Sequence, residues 1–484
     1  MTRPSFLLLV LGCLLFFVAL GNHQLQGSTE PRVAGIAMEM HLDQDWVTPK
    51  LNGQPFLEKP PLSLWLDAGA IGLFGANIWA VRLASAVAGL LSMLTLYGML
   101  RRFGRPVTIA VAAAVLLATM ASYWSNARQV GEDSLLSLGV TLALLAYFQV
   151  SRLRASQTGH PLGYWLLFAL GIAIATLSKG VLGLALPGAV IFAWLVSESL
   201  LSKRFVLADW LWPASITLLG LLPLLVWLSF LYQAGGLSAV SEVLWANSIG
   251  RFSGSFEEAG HMEPFHYYFV KLPQAFLPWN LLVYLGLWHF RKQLKANRYL
   301  LFFSLWLLAQ LTLLTFASSK RMVYLMSMTP AAAVIAAEYG AVLYQRARQH
   351  TDTSSLAAML VKHGQKLAFG VIGLLVISYL SVATWGKGES QSQSFLPLTQ
   401  QIHSLQGSGK TVVLMTPSER LAGAGVFYSQ SLLQALSTEE QLKAFLNESP
   451  EHVAVMERQS EPDPSYKVLN KIVVGNRSYY FLAL

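Results

Sequence analysis

The sequence predicts a mainly α, polytopic transmembrane helical protein of about eleven spans, with a small extracytoplasmic α/β domain at its C-terminal end. Three observations carry that prediction. First, the 484 residues are 54% hydrophobic and only 12% charged, with a mean hydropathy of +0.49. Soluble chains carry about 25% charged residues, so too few polar side chains are present to cover a soluble surface of this size. Second, apolar runs recur at about the 20-residue length that crosses a bilayer. Third, the composition changes after Trp385, first to a Gly/Ser/Gln-rich stretch and then to a polar segment. The net charge of +9 lies in short clusters between apolar runs rather than in one patch, which reads as topology signal and not as a nucleic-acid surface. Cys13 is the only cysteine, so there is no intrachain disulfide framework and no thiolate metal site.

The expected spans are 5–22, 78–99, 106–125, 133–151, 163–178, 180–198, 210–232, 273–290, 299–317, 322–344 and 366–385. The first has a basic start at Arg3 but no small-x-small cleavage site, and it reads as an uncleaved anchor. One alternating set of loops holds Arg3; Arg101, Arg102 and Arg105; Arg152 and Arg154; Lys203 and Arg204; Arg291, Lys292, Lys295 and Arg298; and Arg346, Arg348, Lys362 and Lys366. By the positive-inside rule that set is cytoplasmic, which puts the N-terminus inside and the C-terminal domain outside. The expected division is therefore a membrane domain over 1–385, with outer loops 23–77 and 233–272, and an outer domain over 386–484. The first outer loop contains two amphipathic stretches, near 30–43 and 60–73. In the outer domain Thr411–Met415 and 452–456 read as buried strands, 438–446 as a helix, and 471–484 as β-rich.

Ionisable residues beside spans are costly and tend to mark function. Here they gather on the outer face: Glu30 and Arg32, then Glu58-Lys59-Pro60, Arg128 with Glu132-Asp133, Lys179 in an apolar hairpin, Arg251 with 261–268, and Lys320-Arg321 with Tyr324 close behind. Cations on this face run against the positive-inside bias. Several converging would cradle a phosphate, with Lys as a point charge and Arg as a bidentate fork, while neighbouring carboxylates could orient a nucleophile or take its proton. The plainer reading of any one of them is a polar hairpin residue or a snorkelling lysine. Five charged hairpins on one face make that reading the weaker one for the set.

These segments resemble the GT-C superfamily of membrane glycosyltransferases (family 39-like), in the branch of aminoarabinose transferases and protein O-mannosyltransferases. The branch's Asp-Glu-x-Arg-Tyr-Ala is matched by Thr29-Glu30-Pro31-Arg32-Val33-Ala34, its Gly-Asp-Trp-x-x-Pro by Gln44-Asp45-Trp46-Val47-Thr48-Pro49, and its Glu-Lys-Pro by Glu58-Lys59-Pro60. Leu-Phe-Gly-Ala-Asn at 73–77, Ser178-Lys179-Gly180, Arg251-Phe252, the 261–268 pattern His-x-x-Pro-Phe-x-Tyr-Tyr, Leu277-Pro278-Trp279, and Ser319-Lys320 with Tyr324 follow in order. Single matches are weak; their order and spacing over 25–330 carry the resemblance, and the tail beyond has no such match.

The resemblance implies transfer of a sugar from a polyprenyl-phosphate donor to an acceptor at the periplasmic face of a bacterial inner membrane. Lipid A, another glycolipid or glycan, and a protein side chain all remain open as acceptor. It implies Arg32 and Lys59 as ligands of the lipid phosphate, with Lys179, Arg251, Lys320 and Tyr324 around them. Glu58 and His261 resemble a pair that can hold a divalent metal, two ligands being too few for a closed zinc site. Asp133 resembles the branch's second acid, with Glu132 beside it. The main departure is Thr29, where the branch has the acid that orients or deprotonates the acceptor. Either Glu30 or Asp133 takes that role, or the chain keeps the fold and lipid site as a catalytically altered lipid-phosphate-binding protein. A lipid-linked sugar transporter or flippase is the other class. Transporters commonly bind at the midplane between inverted repeats, whereas the charges here lie at one face and no repeat is visible.

Overall fold

The computed structural model describes residues 3–157, 159–253, 262–349, 356–386 and 392–484. The N-terminal helix α1 (Arg3–Phe17) leads into an outer loop with two helices, α2 (Thr29–Asp43) and α3 (Leu62–Phe74), joined through a short hairpin of β1 (Lys50–Leu51) and β2 (Gln54–Pro55). Both helices fall on the stretches read as amphipathic. A bundle follows: α4 (Ile78–Arg102), α5 (Val107–Ala118), α6 (Ala121–Asn126), α7 (Asp133–Ser156), α8 (Leu162–Ser202) and α9 (Leu207–Ser241). Beyond α9 come a π-helical turn (Glu242–Gly250), α10 (Arg251–Ser253), α11 (Tyr267–Ala275), α12 (Asn280–Phe290), α13 (Arg298–Phe316), a 3-10 segment (Met322–Met328), α14 (Thr329–Gln349) and α15 (Leu356–Trp385).

Among the described residues seven helical segments are long and apolar enough to cross a bilayer. One of them, α8, runs 41 residues, about 60 Å if straight and twice the hydrocarbon thickness. It is not straight. Lys179 (φ −145°, ψ 28°) and Gly180 (φ 51°, ψ −126°) leave helical geometry, and the chain turns back so closely that a Cβ on Gly183 would sit 2.0 Å from the Ala175 carbonyl. The hairpin expected between 163–178 and 180–198 is therefore present, and Lys179 is its apex.

Other expected spans are shorter or divided. The run 106–125 is split into α5 and α6 at Thr119, whose hydroxyl bonds back to the Val115 carbonyl at 2.7 Å and accepts the Trp279 indole at 2.9 Å. The run 273–290 is split into α11 and α12 around Pro278; Pro273 and Pro278 have no backbone donor, and such residues interrupt helices. Hydropathy alone does not register these breaks, because apolar content is continuous across them.

Burial separates the lipid-facing helices from the central one. In the most apolar window of α7, 89% of residues are buried, against 28% for the segment containing α9, which turns Leu218, Leu222, Leu225, Val226 and Phe230 outward. The α7–α8 crossing is built from small residues: a Cβ on Gly139 would lie 2.5 Å from the Ala175 nitrogen, and one on Gly171 would lie 2.5 Å from the Ala143 nitrogen. Small-x-x-x-small pairs allow this backbone approach in a membrane. It brings the start of α7 beside the apex of α8.

The outer domain contains α16 (Leu396–Gly407), β3 (Thr411–Met415), α17 (Glu419–Ser429), β4 (Ala435–Leu436), α18 (Glu439–Glu448), β5 (His452–Arg458), β6 (Lys467–Val474) and β7 (Arg477–Ala483). The sheet order is β4-β3-β5-β7-β6, parallel among β4, β3 and β5 and antiparallel from β5 through β7 to β6. Strand alternation gives two cores: Val412, Leu414, Val453 and Val455 face α16 and α17, while Val413, Met415, Ala454 and Met456 face α18. A capping box between Thr438 and Gln441 starts α18.

Candidate active site

The outer loop is held in place by groups that take no part in the charge cluster below. Asp45 accepts from the Val47 and Thr48 amides at 3.1 and 3.0 Å and pairs with Lys50 at 2.9 Å, so this motif acid folds the turn. The Trp65 and Trp227 indoles donate to the Trp46 and Val47 carbonyls at 2.8 and 3.0 Å. Glu30 is likewise committed. Its carboxylate is gripped by the Arg82 guanidinium at 2.8 and 2.9 Å and accepts the Gln26 and Val130 amides, both at 2.9 Å. A carboxylate saturated in this way holds α2 against α4 and is poorly placed to take a proton, which corrects its expected place among the bases.

A ladder of alternating charge begins at Arg32 on α2. Arg32 Nη2 lies 3.0 Å from Glu58 Oε2, Glu58 Oε1 lies 3.6 Å from Lys59 Nζ, and Lys59 Nζ lies 2.5 Å from Glu132 Oε1. The same Glu132 oxygen is 3.1 Å from Lys179 Nζ, and Lys179 also pairs with Asp133. The Lys179 amine sits 4.4 Å from the Tyr324 ring centroid, a cation–π contact. Glu132 is 2% exposed. Burial pushes its carboxyl up, but Lys59 and Lys179 override that and hold it well below the usual carboxylate range. Burial pulls Arg32 down, and Glu58 and Glu419 more than offset it, leaving the guanidinium raised.

Two cavities meet at this ladder. One, of about 270 Å³, is lined by Glu58, Lys59, Lys179 and Tyr324 together with the apolar Val181, Leu182, Ala185, Leu313 and Leu314. It is a mainly apolar slot with two amines in its wall. The other, about 380 Å³, is polar and contains Thr29, Glu30, Asn126, Gln129, Asp133, Ser134 and Arg321. Asp133 faces the polar cavity and pairs with Lys179, which faces the apolar one. Among the described residues the Lys179–Asp133 ion pair joins the two cavities.

Of the eight expected phosphate and metal ligands, four line the apolar cavity: Glu58, Lys59, Lys179 and Tyr324. Arg32 stands off the apolar cavity, beside a void of about 30 Å³ shared with Glu58, Lys59 and Glu132, so it braces the ladder rather than facing the slot. Lys320 points elsewhere. Ser319 bridges antiparallel to Met262, and in this extended segment side chains alternate: Ser319 lines the apolar slot while Lys320 lines a separate opening with Glu263 and Phe265. There its amine donates to the Glu263 carbonyl at 2.9 Å, and burial pulls its pKa down. Of the expected metal pair only Glu58 is described. His261 lies outside the described residues, as does the Arg251 side chain, and Glu58 is flanked by Arg32 and Lys59. A carboxylate with two cations on it does not suit a divalent metal.

Two residues that the sequence names only as neighbours of motif residues, and two that it does not name, also shape the site. Arg321 donates to Thr29 Oγ1 at 3.1 Å in the polar cavity, one residue from the expected Lys320. Glu132 is the hub of both lysines, and Arg82 locks Glu30. The outer domain contributes Glu419, whose Oε2 lies 2.6 Å from Arg32 Nη1. Adjacency to Lys320 and to Asp133 is the sequence signal for Arg321 and Glu132; Arg82 and Glu419 act through partners far away in sequence.

Comparison with known proteins decides the family. An aminoarabinosyl transferase of Pseudomonas aeruginosa (strain LESB58), named undecaprenyl phosphate-alpha-4-amino-4-deoxy-L-arabinose arabinosyl transferase, is 30% identical over 397 residues, covering 81% of this chain and 68% of the relative. The chain belongs to this aminoarabinosyl transferase family. The family member of Erwinia tasmaniensis is 26% identical over 80% of this chain and 66% of its own length. The family model of dolichyl-phosphate-mannose-protein mannosyltransferases matches residues 58–227, a range that starts at Glu58 and includes Asp133 and Lys179. The fold is that of ArnT from Cupriavidus metallidurans, solved bound to undecaprenyl phosphate, with a TM-score of 0.74 at 20% identity over 98% of this chain and 97% of that one.

Proposed function

We propose that this aminoarabinosyl transferase family member moves a sugar from an undecaprenyl-phosphate donor to an acceptor at the periplasmic face of a bacterial inner membrane. The observation that carries the reading is the pair of amines, Lys59 and Lys179, in the wall of the apolar cavity, with Lys179 paired to Asp133 of the polar cavity. The prenyl chain fits against Leu182, Leu313 and Leu314, and the phosphate against the two amines, with Tyr324 beneath Lys179. As the bond from the sugar's anomeric carbon to the phosphate oxygen breaks, the lysines stabilise the charge gathering on the leaving phosphate. The acceptor oxygen approaches from the polar cavity, where Asp133 orients it and takes its proton if it carries one. An acceptor oxygen already ionised needs no base, which accords with Thr29 holding the place of the branch's acid. The 4-amino-4-deoxy-L-arabinose named for the relatives is the donor sugar to test first, and lipid A the first acceptor. The basic residues concentrated in 101–105, 291–298 and 346–348 support this orientation, since basic loops favour the cytoplasmic side.

The test is transfer from labelled undecaprenyl-phosphate aminoarabinose to lipid A by the purified full chain. Product that forms with the native chain and is lost on Lys59→Ala and on Asp133→Ala supports an enzyme. Binding of the lipid without turnover, across lipid, glycan and peptide acceptors, would establish the lipid-binding reading instead.

A further inference from the structure

The outer domain is docked on the membrane domain by a backbone-to-backbone crossing of α17 and α2. A Cβ on Gly35 would lie 2.4 Å from the Gly423 Cα, and one on Gly423 would lie 2.3 Å from the Pro31 carbonyl, so neither position tolerates a side chain. Glu419 is one helical turn before Gly423 and Arg32 about one turn before Gly35, which stacks the two side chains at the same edge of the crossing. Their contact, 2.6 Å, extends the charge ladder from the outer domain through Arg32, Glu58 and Lys59 to Glu132. Glu419 differs from the other members in exposure: its side chain is 51% exposed, against 10% for Arg32 and Glu58 and 3% for Glu132. With Glu419 the ladder's carboxylates (Glu58, Glu132, Asp133, Glu419) outnumber its cations (Arg32, Lys59, Lys179); without it they are equal.

We propose that Glu419 is a positioning residue supplied by the outer domain, which holds Arg32 on Glu58 and limits how tightly the site retains the departing polyprenyl phosphate. This rests on the donor assignment above. The donor is a phosphodiester with one negative charge; the product is a monoester approaching two at neutral pH, since the second ionisation of a phosphate monoester falls near pH 6. Charges that stabilise the leaving group therefore bind the product more strongly than the donor, and a turning-over site needs a counterweight. Arg32, engaged at both Nη atoms by carboxylates, adds little net attraction. Freed of Glu419 it adds more.

The experiment measures binding of undecaprenyl phosphate to the full-length protein in nanodiscs, together with single-turnover and steady-state transfer, for the native chain and Glu419→Gln. The expected result is product binding tighter by about three-fold, the scale of one half-exposed charge, with a lower steady-state kcat and an unchanged single-turnover rate. Glu419→Asp restores native values, and in an Arg32→Gln background Glu419→Gln has no effect. Gly423→Leu, which undocks the domain, serves as the reference for a purely structural loss, in which binding and both rates fall together. Unchanged or weaker product binding in Glu419→Gln, with the native chain binding normally, overturns this inference alone. A native chain that does not bind undecaprenyl phosphate overturns the donor assignment and this inference with it.

Discussion

Lys59 and Lys179 share one buried carboxylate, and that sharing sets what single substitutions do. Removing one partner of a buried ion pair leaves an uncompensated charge at a cost of about 3–5 kcal/mol, so Glu132→Gln should lower thermal stability at neutral pH. The pH dependence has a definite sign. A carboxyl held below its unfolded pKa contributes stability that is complete above the unfolded value and is lost as pH falls through the folded one. The native chain should therefore lose thermal stability on acidification below about pH 4.5 more steeply than Glu132→Gln does. Asp133→Asn should reduce transfer about 100-fold or more, the usual scale of a lost acid–base group, with donor KM little changed. Thr29→Val, which removes only the hydroxyl that Arg321 meets, should cost under 10-fold; a loss as large as that of Asp133→Asn would return the acceptor role to position 29. At this scale the motifs located the ladder, since Glu58, Lys59, Asp133 and Lys179 were all legible from order and spacing. Which way Lys320 faces was not, because it depends on the pairing of Ser319 with Met262. The saturation of Glu30 by Arg82 was equally hidden, since it joins residues 52 apart.

The elements deliver these side chains through glycine contacts. Gly180 occupies φ 51°, ψ −126°, outside the regions open to residues with a Cβ, so Gly180→Val should strain the apex by about 1–3 kcal/mol and displace Lys179. Gly171→Leu would drive a side chain into the Ala143 backbone and pry α8 from α7. Thermal midpoint and transfer should fall together, whereas Gly188→Ala, where a Cβ meets nothing within 4 Å, should change neither measurably. The helices α2 and α3, the hairpin at Lys179 and the strands β3 and β5 were legible from local signals: amphipathic spacing in the helices, a lysine between two apolar runs, and short continuous apolar runs for strands buried on both faces. The split of 273–290 into α11 and α12 was not, since apolar composition is the same on either side of Pro278.

Across the whole molecule, two cavities of opposite character meet at the Lys179–Asp133 pair, and the outer domain reaches the same ladder through Glu419. Fold class was legible because bilayer-length apolar runs and clustered basic residues are global signals. The docking of the outer domain was not, because Gly35 and Gly423 are ordinary glycines until the chain brings them together. The most direct test of the donor assignment is an experimental structure of the full chain with undecaprenyl phosphate. The assignment requires the phosphate within about 3 Å of both the Lys59 and Lys179 amines, with the prenyl chain running past Leu182 and Leu314. A phosphate seated instead on Arg321 in the polar cavity, or beside Lys320, would contradict it.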